Sequence, residues 1–566
     1  MIRKFIPSDF KIISWKNIEP YFINLKEREI ASAKNLEQWL LDKSELESIL
    51  EEDLAWRYIK MNCDTLDKNL SDSFNFFITE IEPEILKYDD IFNKNFYDSS
   101  FLKKLDSKKY YLIIRSVRKK IEMFREKNIP IIAKLQKEEQ EYGKISSEMT
   151  INYDGKEHTL QQAANYLKNT KREIRKKVYH LINQRRIKDS EKLDNLFSNL
   201  LKKRCEIAKN ADYENFRDYK FDDLGRFDYS IDDCYEFHKS IKDEVCPLIN
   251  IINENRKKSL KLNSLKPWDL EVDVNLLPAL KPFDNSNELI EKTIKCFSLI
   301  KPKYGEYLKI MKNKGFLDLD SRKGKAPGGF NYPLYESDIP FIFMNATGNL
   351  RDMETIMHEG GHAIHSFLSK DLGLVDFKEL PSEVAELASM TMELISMDHW
   401  NIFFENEKEL NRAKRKQLEG VLQVLPWVAT IDKFQHWIYT NPEHSVKERK
   451  ENWINIAREF GSKIIDWSEN EDFFANSWQK QLHIFEIPFY YIEYGIAQLG
   501  AIAIWRNYKN NPDKALKNYE NALELGYSVS IPEIYKTAGI EFNFSRKYIA
   551  QLMEFVLQEL SELYKK

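Results

Sequence analysis

His358-Glu359-Gly360-Gly361-His362 is the stretch of this chain best equipped for chemistry. On a helix, histidines four residues apart share one face, where both imidazoles can converge on a single metal ion. Glu359, next to the first of them, can take a proton from water held by that ion. The bland alternative is two histidines that merely decorate a helix. With only 10 histidines in 566 residues, an H-E-x-x-H match by chance is rare, which weighs against it.

A catalytic zinc takes three protein ligands and keeps one position open. His365 shares the helix face, but seven residues of helix rise about 10.5 Å, whereas ligands of one ion sit within about 4 Å of each other. It is therefore expected beyond the site, behind the ligands or on a channel wall. The third ligand is expected from Pro381-Ser382-Glu383-Val384-Ala385-Glu386-Leu387-Ala388-Ser389-Met390-Thr391-Met392-Glu393. Pro and Ser mark a helix start, and the apolar or small residues between the acids make the helix a buried one. A buried acid needs a partner, and a metal with its histidine supplies one. Glu386 and Glu393 lie on one face; Glu383 remains an alternative and Glu379 a weaker one. Gly360 and Gly361 cost about 1 kcal/mol each inside a helix, for which close helix packing is a better reason than room for substrate.

Downstream, His483 through Tyr494 is dense in rings: Tyr490, Tyr491, Tyr494 and His483 all carry donors suited to a developing oxyanion. Aromatic core packing accounts for them equally well.

Long helices must hold these residues. Gly and Pro are sparse, at 18 each, and Lys, Glu and Leu are abundant, so the chain reads as mainly α. Successive amphipathic helices are expected over 21–145, then a hairpin near 149–158 around Asp154-Gly155. The basic run over 169–188 reads as a solvated helix face more readily than a phosphate-binding stripe. Pro340 to Asn345 reads as a short buried strand, and helical periodicity resumes near Arg351. We divide the chain into an N-terminal helical region, 1–188, and a catalytic region, 189–566. Net charge is −4, which speaks against nucleic acid as a partner. No apolar window suggests a membrane span. Five scattered cysteines without a C-x-x-C pair point to reduced thiols and a cytoplasmic location.

His358-Glu359-Gly360-Gly361-His362-Ala363-Ile364-His365 resembles the H-E-x-G-H-x-x-H core of the thimet oligopeptidase family. Glu386-Leu387-Ala388-Ser389…Glu393 and Phe489-Tyr490-Tyr491-Ile492-Glu493-Tyr494 resemble its bacterial oligoendopeptidase F branch. The resemblance is specific over 325–510. It implies a zinc metallopeptidase that cuts short, unfolded peptides, with one zinc per chain held by His358, His362 and Glu386 and with Glu359 as general base. Glu393 would stand behind the ligands. His483, Tyr491 and Tyr494 would bind substrate and stabilise the transition state, and Tyr490 could take the place of Tyr491. The implied fold is a helical ellipsoid of two halves around a deep channel, with a small sheet beside the zinc. There, Phe341 to Asn345, including Phe343 and Asn345, would offer its backbone to an extended peptide. The competing readings are a zinc carboxypeptidase on a similar scaffold and a helical peptide-binding protein without turnover.

Overall fold

The computed structural model describes residues 3–565. Helices account for most of it, as the scarcity of breakers requires. The chain forms two units that alternate along the sequence. The first comprises Met1–Met123, Lys281–Ala413 and Ala497–Phe542; the second comprises Phe124–Leu280, Lys414–Ile496 and Asn543–Lys566. Residue 188 lies within the second unit's first segment. The elements needed below are hairpin strands β1 (Thr150–Tyr153) and β2 (Lys156–Thr159), and strands β3 (Leu317–Asp320), β4 (Phe330–Tyr332) and β5 (Phe341–Ala346). The helices are α1 (Arg172–Lys188), α2 (Ile231–Glu244), α3 (Ser286–Ile300), α4 (Leu350–Ser369), α5 (Ser382–Ser396), α6 (Glu407–Thr440) and α7 (Tyr491–Asn510).

In the first unit the N-terminal helices bury a core around Phe22, Trp39, Phe92 and Phe96. A three-stranded sheet in the order β3-β5-β4 carries the chain towards α4. β5 runs parallel to β3 and antiparallel to β4, pairing Phe343 with Asp318 on one side and with Phe330 on the other. Its continuous apolar run, Phe341-Ile342-Phe343-Met344, is fully buried, as a central strand demands. This corrects one expectation. Over 341–343 both edges of β5 are already paired, so it cannot add a peptide strand there. Phe343 stacks on Phe330 in the core, with centroids 4.7 Å apart, and is closed to substrate. Asn345 Nδ2 is also engaged, donating to the carbonyls of Ala326 and Gly328.

A capping box ends the link from β5 to α4. Asp352 N donates to Asn349 Oδ1, Asn349 N donates to Asp352 Oδ2, and Thr347 N donates to the same carboxylate oxygen at 2.6 Å. These bonds fix the helix phase, and with it the direction of the histidines further along α4.

The second unit holds the hairpin where the sequence places it. Asp154 and Gly155 both take positive φ, 53° and 73°, as a two-residue turn of this hand requires. The basic helix α1 keeps Lys176, Lys177 and Lys188 on an exposed face, as expected, but turns Arg175 inward. Arg175 is buried, and together with Arg172 it grips the fully buried Asp269, at 2.8 and 2.6 Å. These cations neutralise an interior carboxylate and are unavailable to phosphate.

Candidate metal centre

α4 and α5 cross at Gly361. A Cβ there would lie 2.6 Å from Ser389 Cα and 2.8 Å from Ala388 O, so only glycine lets the two backbones meet. At Gly360 a Cβ would strike the buried ring of Phe297 on α3 at 2.6 Å. Both glycines therefore serve packing, and the crossing at Gly361 is what carries the acids of α5 to the histidines of α4.

The result is a compact donor set. One ligand atom each from His358, His362 and Glu386 lies within 4.8 Å of the others. Glu386 Oε2 is 3.3 Å from His358 Nε2 and 3.9 Å from His362 Nε2. Behind them, His358 Nδ1–H donates to Glu393 Oε1 at 2.7 Å, which turns Nε2 towards the Glu386 carboxylate. At that distance a positive charge has to sit between nitrogen and oxygen: a proton on Nε2 when no metal is held, and a metal ion in its place when one is. A tetrahedral zinc with nitrogen and oxygen ligands fits this set in type and number, with one position left over. The charges respond accordingly. Burial disfavours a charged His358, but hydrogen bonds to Glu386 and Glu393 outweigh it and hold the imidazole's pKa well above its ordinary value. Burial alone would raise Glu386, but the bond from His358 keeps its carboxyl below the ordinary range. Burial pushes His362 down to about 4, so it remains a neutral imidazole.

Glu359 is 6% exposed, and burial pushes its carboxyl up to about 7, where proton transfer near neutrality is most effective. Its backbone carbonyl accepts from Asn331 Nδ2 of β4 at 3.2 Å, tying the sheet to the helix. Sequence reasoning missed Asn331, since nothing local marks it. The histidine side chains stay 23% and 19% exposed, so the cluster keeps an approach from solvent. His365 stands apart in the core at 1% exposure, with its pKa pushed down to about 3, chiefly by burial. It is not in the donor set. Glu383 is buried in the first turn of α5 and is not in the set either.

The aromatic block belongs to the second unit. His483 lies 5.8, 4.9 and 6.0 Å, ring to ring, from Tyr490, Tyr491 and Tyr494. Its tautomer follows from its neighbours. Trp427 Nε1–H can only donate, and it does so to Gln481 Oε1 at 3.1 Å; Gln481 Nε2 then donates to His483 Nδ1 at 2.7 Å. The ring proton is left on Nε2, where His483 is a hydrogen-bond donor. Phe489, just before the tyrosines, has φ 69°, a conformation that costs a bulky residue about 1–3 kcal/mol. It is held by its N–H donating to Gln435 Oε1 and by Arg226, which donates to its carbonyl and to Glu493 Oε1. Sequence reasoning missed Arg226 and Gln435, which lie far from the block in sequence and hold its turn.

Residues 165–554 match Peptidase family M3, and residues 5–124 match the Peptidase M3 N-terminal domain. The chain belongs to peptidase family M3. Among M3-type relatives it is 26% identical over 412 residues to the Oligoendopeptidase F homolog of Borreliella burgdorferi, an alignment covering 70% of this chain and 65% of that one. It is 22% identical to Oligopeptidase PepF of Bacillus subtilis over 71% of this chain and 59% of that one. The chain thus spans less than two thirds of the length of these curated relatives. A solved structure of PZ peptidase A with an inhibitor superposes with a TM-score of 0.90 at 24% identity, over 99% of each chain. Oligoendopeptidase-F from Enterococcus faecium superposes at 0.65 and 15%, over 97% of each. The M3 fold is therefore shared across most of the molecule while the sequence has diverged widely.

Proposed function

We propose that this M3 chain is a zinc-dependent endopeptidase acting on short, unfolded peptides. The observation that carries this reading is the set of His358, His362 and Glu386, with ligand atoms within 4.8 Å of one another beside the buried carboxyl of Glu359. His358, His362 and Glu386 would hold one zinc ion, and Glu393 fixes the orientation of His358 through its Nδ1–H. When bound, zinc supplies Lewis acidity, acidifying water and polarising a peptide carbonyl. Glu359 accepts the proton of the attacking water and returns it to the leaving amine. His483, through its Nε2–H, and Tyr491 or Tyr494, through the hydroxyl, would donate to the carbonyl oxygen as it gains charge, with Tyr490 contacting the peptide. Since β5 is central, the peptide-pairing role passes to the outer edge of β4, beside α4.

The rival readings predict different products. Internal cleavage of a peptide blocked at both ends excludes a carboxypeptidase, and cleavage abolished by a chelator and restored by zinc excludes a passive binder. Release of only the terminal residue from unblocked peptides would sink the endopeptidase reading. Among the described residues no helix is long and apolar enough to cross a membrane. The five cysteines form no disulfide, which supports a reducing, cytoplasmic setting.

A further inference from the structure

A second ligand-type cluster lies in the second unit. Cys234 and His238 are four residues apart on α2, and Asp432 and His436 are four apart on α6. Each helix thus presents two such side chains on one face, the same geometry that pairs His358 with His362. One ligand atom each from Cys234, Asp432 and His436 lies within 4.8 Å of the others, and all three residues are buried. Asp432 Oδ2 is 2.8 Å from His238 Nε2 and 3.2 Å from His436 Nε2.

The hydrogen bonding around this cluster does not close. His238 gives its Nε2 proton to Asp432 Oδ2, which leaves its Nδ1 an acceptor. That atom, Asp432 Oδ1 and His436 Nδ1 are buried without a hydrogen-bond partner among the described residues, and His436 Nε2, though 3.2 Å from Asp432 Oδ2, is poorly aligned to bond it. The side chains of Asp432, His238 and His436 are 0%, 4% and 2% exposed, so bulk water does not serve them. The surroundings are aromatic: Phe221 and Phe489 pack on His436, and Phe237 and Phe460 on His238. The nearby cations are committed elsewhere, Lys433 to Glu459 at 2.7 Å and Arg226 to Glu493 at 2.7 Å. A carboxylate sealed among imidazoles and aromatic rings, with no lysine or arginine ion pair among the described residues, is costly unless a positive charge joins it, either an imidazolium or a metal ion.

We propose that Cys234, Asp432 and His436 bind a second, structural metal ion of the zinc class, with His238 holding Asp432 in position. A sulfur, a nitrogen and an oxygen donor suit zinc better than magnesium or calcium. Ligands of a tetrahedral zinc lie about 3.3–3.8 Å apart, so small side-chain turns bring this set onto the ion. Binding displaces the Cys234 thiol proton to solvent, and the thiolate is the ligand.

The two metal centres differ in one element, sulfur, and that decides the test. Full-length protein, supplied with zinc and desalted, is expected to hold two zinc ions per chain, with one sulfur scatterer at about 2.3 Å in X-ray absorption. After exchange into cobalt it is expected to show a thiolate-to-cobalt charge-transfer band. The E386Q variant, stripped at the first centre, keeps the sulfur-bound ion. C234S loses one metal equivalent and the charge-transfer band while its remaining ion still supports chelator-sensitive cleavage. One ion per chain with only nitrogen and oxygen neighbours, in zinc-replete wild-type protein, overturns the proposal. That measurement needs no variant, so a C234S chain that fails to fold does not shelter it.

Discussion

The His358 cluster and the Cys234 cluster obey the same helical rule and differ in what surrounds them. Both place metal-type ligands four apart on one helix and complete the set from a second helix. In the first, the histidines remain about one-fifth exposed and an additional carboxyl, Glu359, stands beside them without being a ligand. In the second, the side chains are sealed and the acid present, Asp432, is already a candidate ligand. Convergent ligands alone therefore do not make a catalytic centre. An open approach and a base in reserve do, and closed sites with sulfur serve structure.

The sharpest way to break this contrast is to remove the reserve base. Glu359→Gln is expected to keep its zinc and lose about 10²–10⁴-fold in turnover, the range of a positioned general base. Steady-state cleavage of a quenched fluorescent peptide, beside metal content, measures both. Turnover near wild type would show that the two clusters differ by access alone. Glu386→Gln attacks the ion instead: zinc retention after dialysis against a weak chelator should fall far more than for His365→Ala, because His365 is buried outside the donor set. Equal losses from both variants would misplace the third ligand. Glu393→Gln is milder. It keeps a hydrogen-bond acceptor near His358 Nδ1 but removes the charge, for which about a 10–100-fold loss of zinc affinity is expected. Competition with a chromophoric chelator reads it directly, and unchanged affinity would reduce Glu393 to a packing role.

The sequence makes some of this legible and hides the rest for physical reasons. Helical spacing alone puts His358 with His362 and Glu386 with Glu393 on their helix faces, but it leaves Glu383 open as a ligand until the crossing of α4 on α5 brings Glu386 to the histidines. Asp154-Gly155 likewise announces its turn, because few residue pairs tolerate positive φ at both positions. Strand order is different. Phe341-Ile342-Phe343-Met344 says that β5 is buried, but whether neighbours lie on one edge or both depends on β3 and β4, and this decides that no peptide can pair with it over 341–343. The Cys234 cluster was hidden for a related reason. Each half is a four-residue spacing that helices show for many ordinary reasons, and only the packing of α2 on α6 unites residues some 200 positions apart. His483 shows a third kind of limit. Its presence is legible, but its tautomer depends on Trp427 and Gln481.

The smallest expected effect tests how the first cluster is assembled. Glycine to alanine inside a helix normally stabilises by about 1 kcal/mol. A methyl added at Gly420 on α6 would meet no atom within 4 Å, so Gly420→Ala should gain that amount. At Gly361 the new methyl would meet the backbone of Ser389 and Ala388, which cannot rotate away as a side-chain tip can. Overpacking of this kind costs about 1–3 kcal/mol, so Gly361→Ala should come out destabilised by up to about 2 kcal/mol. The displacement acts along the α4–α5 crossing, so zinc affinity should fall together with Tm. Thermal unfolding of both variants with and without added zinc separates the two contributions. A Gly361→Ala protein as stable and as tightly zinc-bound as Gly420→Ala would mean that the acids of α5 reach the histidines without the close crossing.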